Sequence, residues 1–214
     1  MSRFRTLKLT LRSWLLRPEW TKDQALPPQI AAGLSLTTEQ KSFAHGKNFN
    51  LLSLVNPLFA CLPEEAPLSD RAAFALGNLI SRIYAQNREE ARNIIRRFIW
   101  QMNVESGNIG WGIPKAFGQT LAQNHALAQE YHKVLFHYIY NKKGDNSYCD
   151  YAPLRQSCYT ALADVVRAWP EYAKLATALL QQAAKTDDDQ ICRQQVNSLL
   201  IEFKPLAKSQ PEKA

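Results

Sequence analysis

From Leu68 onward, apolar residues recur every three or four positions in segments of about three to four turns separated by short polar breaks, which predicts a series of amphipathic helices. The clearest runs from Arg88 to Met102, with Ala91, Ile94, Ile95, Phe98, Ile99 and Met102 in one stripe. Asn87 is placed to cap its free N–H groups, and Glu90 to reach back as in a capping box. The helix before it, Asp70 to Gln86, turns Ala72, Leu76, Leu79, Ile80 and Ile83 inward. A second pair follows, Pro114 to Asn124 with Ala116, Phe117 and Leu121 inward, and Ala126 to Tyr140 with Leu127, Tyr131, Val134, Leu135, Tyr138 and Ile139 inward. A third pair runs Pro153 to Trp169, around Leu154, Cys158, Ala161, Leu162 and Val165, then Pro170 to Lys185, around Tyr172, Leu175, Ala176, Leu179, Leu180 and Ala183. Asp187 to Asp189 cap a last helix through Phe203, with Val196, Leu199, Leu200 and Phe203 inward.

The first helices of these pairs also match by residue type. Ala75-Leu76-Gly77 corresponds to Ala116-Phe117-Gly118, to Ala161-Leu162-Ala163 and loosely to Ser198-Leu199-Leu200, at spacings of 41, 45 and 37 residues. Small residues flanking a large one let neighbouring helices approach closely, and a helix-pair period of roughly 40 to 47 residues is that of HEAT and armadillo arrays. The expected fold is an all-α, HEAT-like α-α superhelix, a right-handed solenoid of about three and a half helix pairs. An irregular helical bundle is the competing architecture.

The N-terminal third is less regular and reads as an atypical capping region. Thr37 and Gln40 make a capping box for a short helix ended by Gly46, and Lys47 to Leu62 forms a second helix broken near Asn56-Pro57. Before them, Phe4, Leu7, Leu11, Trp14 and Leu15 lie at helical spacing opposite Arg5, Lys8 and Arg12. This stripe suits a helix covering the first face of the array; a membrane-surface helix or a targeting peptide is the alternative. The division is residues 1–62 for arm and cap, 63–204 for repeats and 205–214 for a frayed tail, all in one structural domain.

Charge and composition alter this picture little. The chain has 214 residues and a net charge of +7, but its first 25 residues hold six cations against Glu19 and Asp23, so +4 of the total lies there. The remaining body is too nearly neutral to meet many phosphates by default, which sets nucleic acid behind a protein or peptide partner. No apolar run approaches the roughly 18 residues of a membrane span. Cys61, Cys149, Cys158 and Cys192 form no C-x-x-C pair and are not spaced with the four histidines as zinc ligands. No metal or cofactor is expected, and the cysteines read as reduced thiols of a cytoplasmic protein.

At Asn56-Pro57-Leu58-Phe59, at Arg71 through Gly77 and above all at Glu105-Ser106-Gly107-Asn108-Ile109-Gly110-Trp111-Gly112, the chain resembles an uncharacterised HEAT-like-repeat family of anaerobic bacteria, often labelled as phycobilisome-lyase-type or armadillo-type repeats. The likeness spans roughly Phe43 to Glu171. It implies an α-α superhelical fold and no established activity. Family members carry Glu after the Pro of the loop where this chain has Lys115, so no role needing a carboxylate carries over to that position.

The candidate chemistry is sparse. The glycines of the 105–112 loop permit tight turns but lack the G-x-G-x-x-G order of a phosphate cradle. Glu105 can act as an acid or base, or cap backbone N–H groups; Trp111 can stack on a ligand, or fill the seam between repeats. Ser106 has no histidine near it in sequence, and Cys149 or Cys158 would need His137 brought beside it to form a nucleophile pair. The expectation is therefore a non-catalytic protein-interaction scaffold that binds a peptide or acidic partner. The other reading is a nucleic-acid-binding protein of the alkylpurine DNA glycosylase kind, similar in size, basicity and Trp content and kept open by Arg92, Arg96 and Arg97.

At about 100° per residue, the sides of the second helices opposite their stripes carry Asn93, Arg96 and Trp100, then Lys133, Phe136 and Tyr140, then Lys174, Thr177 and Gln181. These positions predict a ladder of cations, amides and aromatics along a concave wall made by the second helices.

Overall fold

The computed structural model describes residues 3–28, 50–103, 110–140 and 147–208, which hold nine α-helices and no strand. They are α1 (Arg3–Leu15), α2 (Leu52–Phe59), α3 (Leu68–Gln86), α4 (Arg88–Met102), α5 (Ile113–Ala122), α6 (His125–His137), α7 (Ala152–Ala168), α8 (Ala173–Thr186) and α9 (Gln190–Lys208). The helix expected around Thr37 to Gly46 lies outside the described residues.

The helix boundaries follow local chemistry. Asn87 accepts hydrogen bonds from the backbone N–H groups of Glu89 and Glu90 at the start of α4, and Asn124 does the same for Leu127 in α6. The other half of the expected capping box is not made, because the Asn87 N–H already donates to the Ile83 carbonyl at the end of α3. Asp189 caps α9 through the Cys192 N–H. Pro57 does not break its helix. It stands two residues from the end of α2, and the ladder resumes with Ala60 N–H donating to Asn56. The tail expected to fray from residue 205 instead continues α9 through Pro205 to Lys208, with Leu206 and Ala207 packed on the core.

The packing is compatible with a helical repeat. Helices α3, α5, α7 and α9 lie side by side and run in the same direction, since side-chain bonds between them keep a nearly constant sequence offset. Between α3 and α5 the offsets are 45 for Lys115 to Asp70 and 42 for Ser81 to Gln123. Between α5 and α7 they are 45 for Gln119 to Asp164 and 48 for Trp169 to Leu121. Between α7 and α9 they are 39 for Gln195 to Gln156 and 35 for Arg167 to Glu202. Glycine makes the closest approaches possible. A Cβ at Gly77 would stand 2.7 Å from the Gln119 carbonyl oxygen, and one at Gly118 2.6 Å from the Ala161 Cα. The second and third small-large-small triplets therefore meet, Gly118 against Ala161, whereas Gly77 of the first meets Gln119, just beyond the second.

The even-numbered helices α4, α6 and α8 are joined to each other by long polar side chains rather than by backbone proximity. Arg92 of α4 makes a bidentate pair with Glu130 of α6 at 2.8 Å, and His125 of α6 meets Glu171, just before α8, at 2.6 Å. Aromatic contacts thread the core between layers: Phe98 of α4 stacks on Phe59 of α2 and tilts against Phe117 of α5. At the amino-terminal end, α1 packs on α2 and α3 with Leu11 and Leu15 fully buried. Arg71 of α3 caps its end by donating to the Leu15 and Arg17 carbonyls.

One buried ionic cluster ties the start of α7 to the start of α9. Arg155, 1% exposed, donates all five of its N–H groups: three to Asp187 and Asp188, and two to the carbonyls of Cys149 and Asp150. The Tyr159 hydroxyl donates to the same Asp187 at 2.7 Å. Burial alone would raise the Asp187 carboxyl, but Arg155 and Tyr159 together hold it below the ordinary aspartate value.

Candidate functional site

Two concave features collect the polar and aromatic side chains not used by the core. The first is a groove of about 370 Å³ across the outward face of α3, α5 and α7. Its floor has two rows at equal sequence steps. Asp70, Lys115 and Thr160 are 45 residues apart, and so are Phe74, Gln119 and Asp164 one turn later. Because the helices are parallel and in register at this offset, each row runs straight across all three. Lys115 pairs with Asp70 at 2.5 Å, and Gln119 donates to Asp164 at 2.7 Å. The segment after α1 closes one side: Trp20 packs edge-on to Phe74, and the Lys22 ammonium lies 5.3 Å from the Phe74 ring centroid.

Two groups in this groove are incompletely satisfied. The Trp20 Nε1–H is buried without a hydrogen-bond partner among the described residues. Among the described residues Asp164 pairs only with Arg167, at 3.9 Å, and that guanidinium is held in a bidentate pair by Glu202. Burial consequently pushes the Asp164 carboxyl above its ordinary value, against the Gln119 hydrogen bond and the Arg167 and Lys22 charges.

The second feature is a cleft of about 490 Å³ between α2, α4 and the start of α5. It unites the Asn56–Phe59 segment with Gly110 and Trp111, two stretches singled out in the sequence. Arg97 lies over the Phe59 ring at 3.9 Å from its centroid and donates to the Asn56 side-chain oxygen. No carboxylate among the described residues pairs with it, and burial lowers its pKa. The Gln101 Oε1 is buried with no donor among the described residues. Trp111 is 40% exposed and meets Tyr151 edge-on, and Phe4 of α1 is exposed at the rim. Gly112 shapes this wall. Its φ of +73° is left-handed, and a Cβ there would fall within 2.4 Å of the Leu62 carbonyl oxygen.

The expected ladder on the second helices does not form as one surface. Trp100 is 66% exposed, and Asn93, Lys133 and Lys174 are exposed as expected. Arg96, also exposed, is engaged by Glu89 and Asn93 at 2.6 Å each. Phe136 is buried, however, because His132 on its own helix stacks on Tyr172 and closes that side of α6. Tyr140 is half-buried against His137. Thr177 is buried while Leu175, expected inward, is exposed: α8 is apolar on more than one side, and it presents Ala173, Ala176, Leu180 and Ala183 to the core. Glu105 and Ser106 lie outside the described residues.

The Cys149 and Cys158 thiols are neighbours with opposite shifts: the Cys158 hydrogen bond, against burial, holds Cys149 below the ordinary thiol value. Cys158 is fully buried, and burial raises it well above the ordinary thiol value. The His132 and His137 ring nitrogens bond to backbone carbonyls of their own helix. Among the described residues, no group of three or more His, Cys, Asp or Glu is placed to hold a metal ion, and no helix is long and apolar enough to cross a membrane.

No protein-family model, no curated protein and no solved structure matches the chain.

Proposed function

We propose that this protein is a non-catalytic, cytoplasmic HEAT-like scaffold, a right-handed α-α superhelix that binds an acidic peptide segment of a partner protein in the cleft between α2, α4 and α5. The observation that carries the reading is Arg97, a half-buried guanidinium stacked on Phe59 with no carboxylate partner among the described residues. A partner carboxylate would supply the missing charge, the Gln101 amide oxygen would accept a backbone N–H, and Trp111 and Phe4 offer apolar surface for a neighbouring side chain. The constant helix register supports the superhelical reading. In a curved stack the layer of closest approach is the inner one, which supports a concave side formed by α3, α5 and α7 rather than by the second helices.

Fluorescence anisotropy with labelled Glu-Glu-Phe-Glu-Glu and its all-Gln counterpart tests this. The acidic probe is expected to bind the wild-type chain, to weaken as salt rises, and to lose at least tenfold in affinity with Arg97→Gln but less with Arg97→Lys. Equal binding of the two probes, or binding unchanged by Arg97→Gln, overturns the reading. A gel shift at two salt concentrations addresses the nucleic-acid alternative, for which a steep salt dependence would be required.

A further inference from the structure

The groove across α3, α5 and α7 is separate from the Arg97 cleft, and its chemistry is different. Its charges are arranged by position. Lys22 and Arg71 lie at the α3 end, Asp70 of α3 pairs with Lys115 of α5, and Asp164 stands at the α7 end paired only at 3.9 Å, among the described residues, with the Arg167 that Glu202 already holds. The aromatic faces of Trp20 and Phe74 are confined to the α3 end, beside an indole N–H that has no acceptor among the described residues.

We infer that this groove binds an extended peptide segment running across the three parallel helices, with a lysine or arginine of that segment inserted against Asp164. Helices packed about 8–10 Å apart make the groove about 16–20 Å long, the span of about five or six extended residues at about 3.3 Å each. The two rows repeat at the same register on each helix, so polar side chains meet the segment at regular intervals. An extended backbone, with its own groups at regular intervals, matches this better than a compact ligand does. At the α3 end the Trp20 N–H donates to a carbonyl of the segment, and the Phe74 ring receives an apolar side chain. At the α7 end a guanidinium or ammonium pairs with Asp164 and removes the cost of holding that carboxylate away from water.

The inference rests on the scaffold reading but not on the Arg97 cleft, and one experiment separates them. A positional-scanning library of fluorescent hexapeptides is screened on the full chain, on Asp164→Asn, on Asp164→Lys, on Trp20→Phe and on Arg97→Gln, each checked for an unchanged melting transition. The expected result is a preference for Lys or Arg at one position of the hexapeptide, lost in Asp164→Asn, turned toward Asp or Glu in Asp164→Lys, weakened in Trp20→Phe and retained in Arg97→Gln. An acidic preference that disappears only in Arg97→Gln would support the cleft and overturn the groove. A basic preference that survives Asp164→Asn, or no positional preference at all, also overturns it. If Asp164→Asn melts early, the charge-inverting Asp164→Lys and the Trp20→Phe chains decide the matter by the same criteria.

Discussion

A Cβ placed on Gly118 would lie 2.6 Å from the Ala161 Cα, closer than carbon atoms on adjacent helices can stand. Replacing a helical glycine with alanine ordinarily stabilises by about 1 kcal/mol, through helix propensity. Here the sign is reversed. Gly118→Ala must push α5 from α7 and is expected to destabilise by about 1–3 kcal/mol, as overpacking does. Thermal melts read the sign directly, and a stabilised Gly118→Ala would contradict the close stacking.

The Arg155–Asp187 pair should behave as a buried ion pair. Asp187→Ala leaves the buried guanidinium with only the exposed Asp188 carboxylate beside it and is expected to cost about 3 kcal/mol, whereas Arg155→Met combined with Asp187→Leu should recover most of that loss. The pH dependence has a definite sign. Because the Asp187 carboxyl is held below its ordinary value of 3.8, its contribution is complete above that value and is lost as pH falls through the lower, folded-state value. Acid titration of wild type against the double variant isolates this contribution. Equal acid sensitivity would contradict it.

Two aromatics expected on one surface should respond in opposite ways. Trp100 is exposed, so Trp100→Ala should change stability by no more than about 0.5 kcal/mol. Phe136 is buried, so Phe136→Ala should cost about 3–5 kcal/mol. Chemical denaturation of the two variants checks the contrast.

The amino-terminal helix belongs to the body of the fold. Leu11→Ala or Leu15→Ala should destabilise by about 2–5 kcal/mol, and deletion of residues 1–17 should lower the melting temperature. If deletion left melting unchanged while abolishing sedimentation with anionic vesicles, α1 would be a membrane-surface element instead.

Much of the helical plan is legible in the residue pattern, because a single apolar stripe fixes both the existence of a helix and the side it buries. Arg88 to Met102 is read with its true ends, since Asn87 is an unambiguous cap. The triplets around Leu76, Phe117 and Leu162 identify the helices that stack, because Gly77 and Gly118 leave a visible gap in side-chain size. Pattern alone fails where a helix has two apolar sides. In α8, Leu175 and Thr177 exchange roles, and in α6 the side holding Phe136 is covered by a contact to Tyr172 that no spacing within the helix reveals. The Arg155 network was hidden for another reason. A lone arginine on a helix reads as solvated until Asp187, 32 residues later, is seen beside it. The two groove rows were legible as the 45-residue steps Phe74, Gln119 and Asp164, but reading them required attention to the outward side of the first helices rather than the second.

The most direct measurement of the central claim, that the first helices stack in parallel at constant register, is a set of pulsed-EPR distances. Spin labels are placed on cysteines introduced in pairs at Asp70 and Thr160 and, as a second rung two turns later at the same offset, at Asn78 and Ala168. The four native cysteines are buried and should remain unlabelled. Parallel stacking predicts narrow distributions of similar mean for the two pairs, corresponding to two helix spacings of about 8–10 Å each plus the label arms. Broad distributions, or a second-rung distance that differs from the first by more than one helix spacing, would contradict the register and with it the groove built upon it.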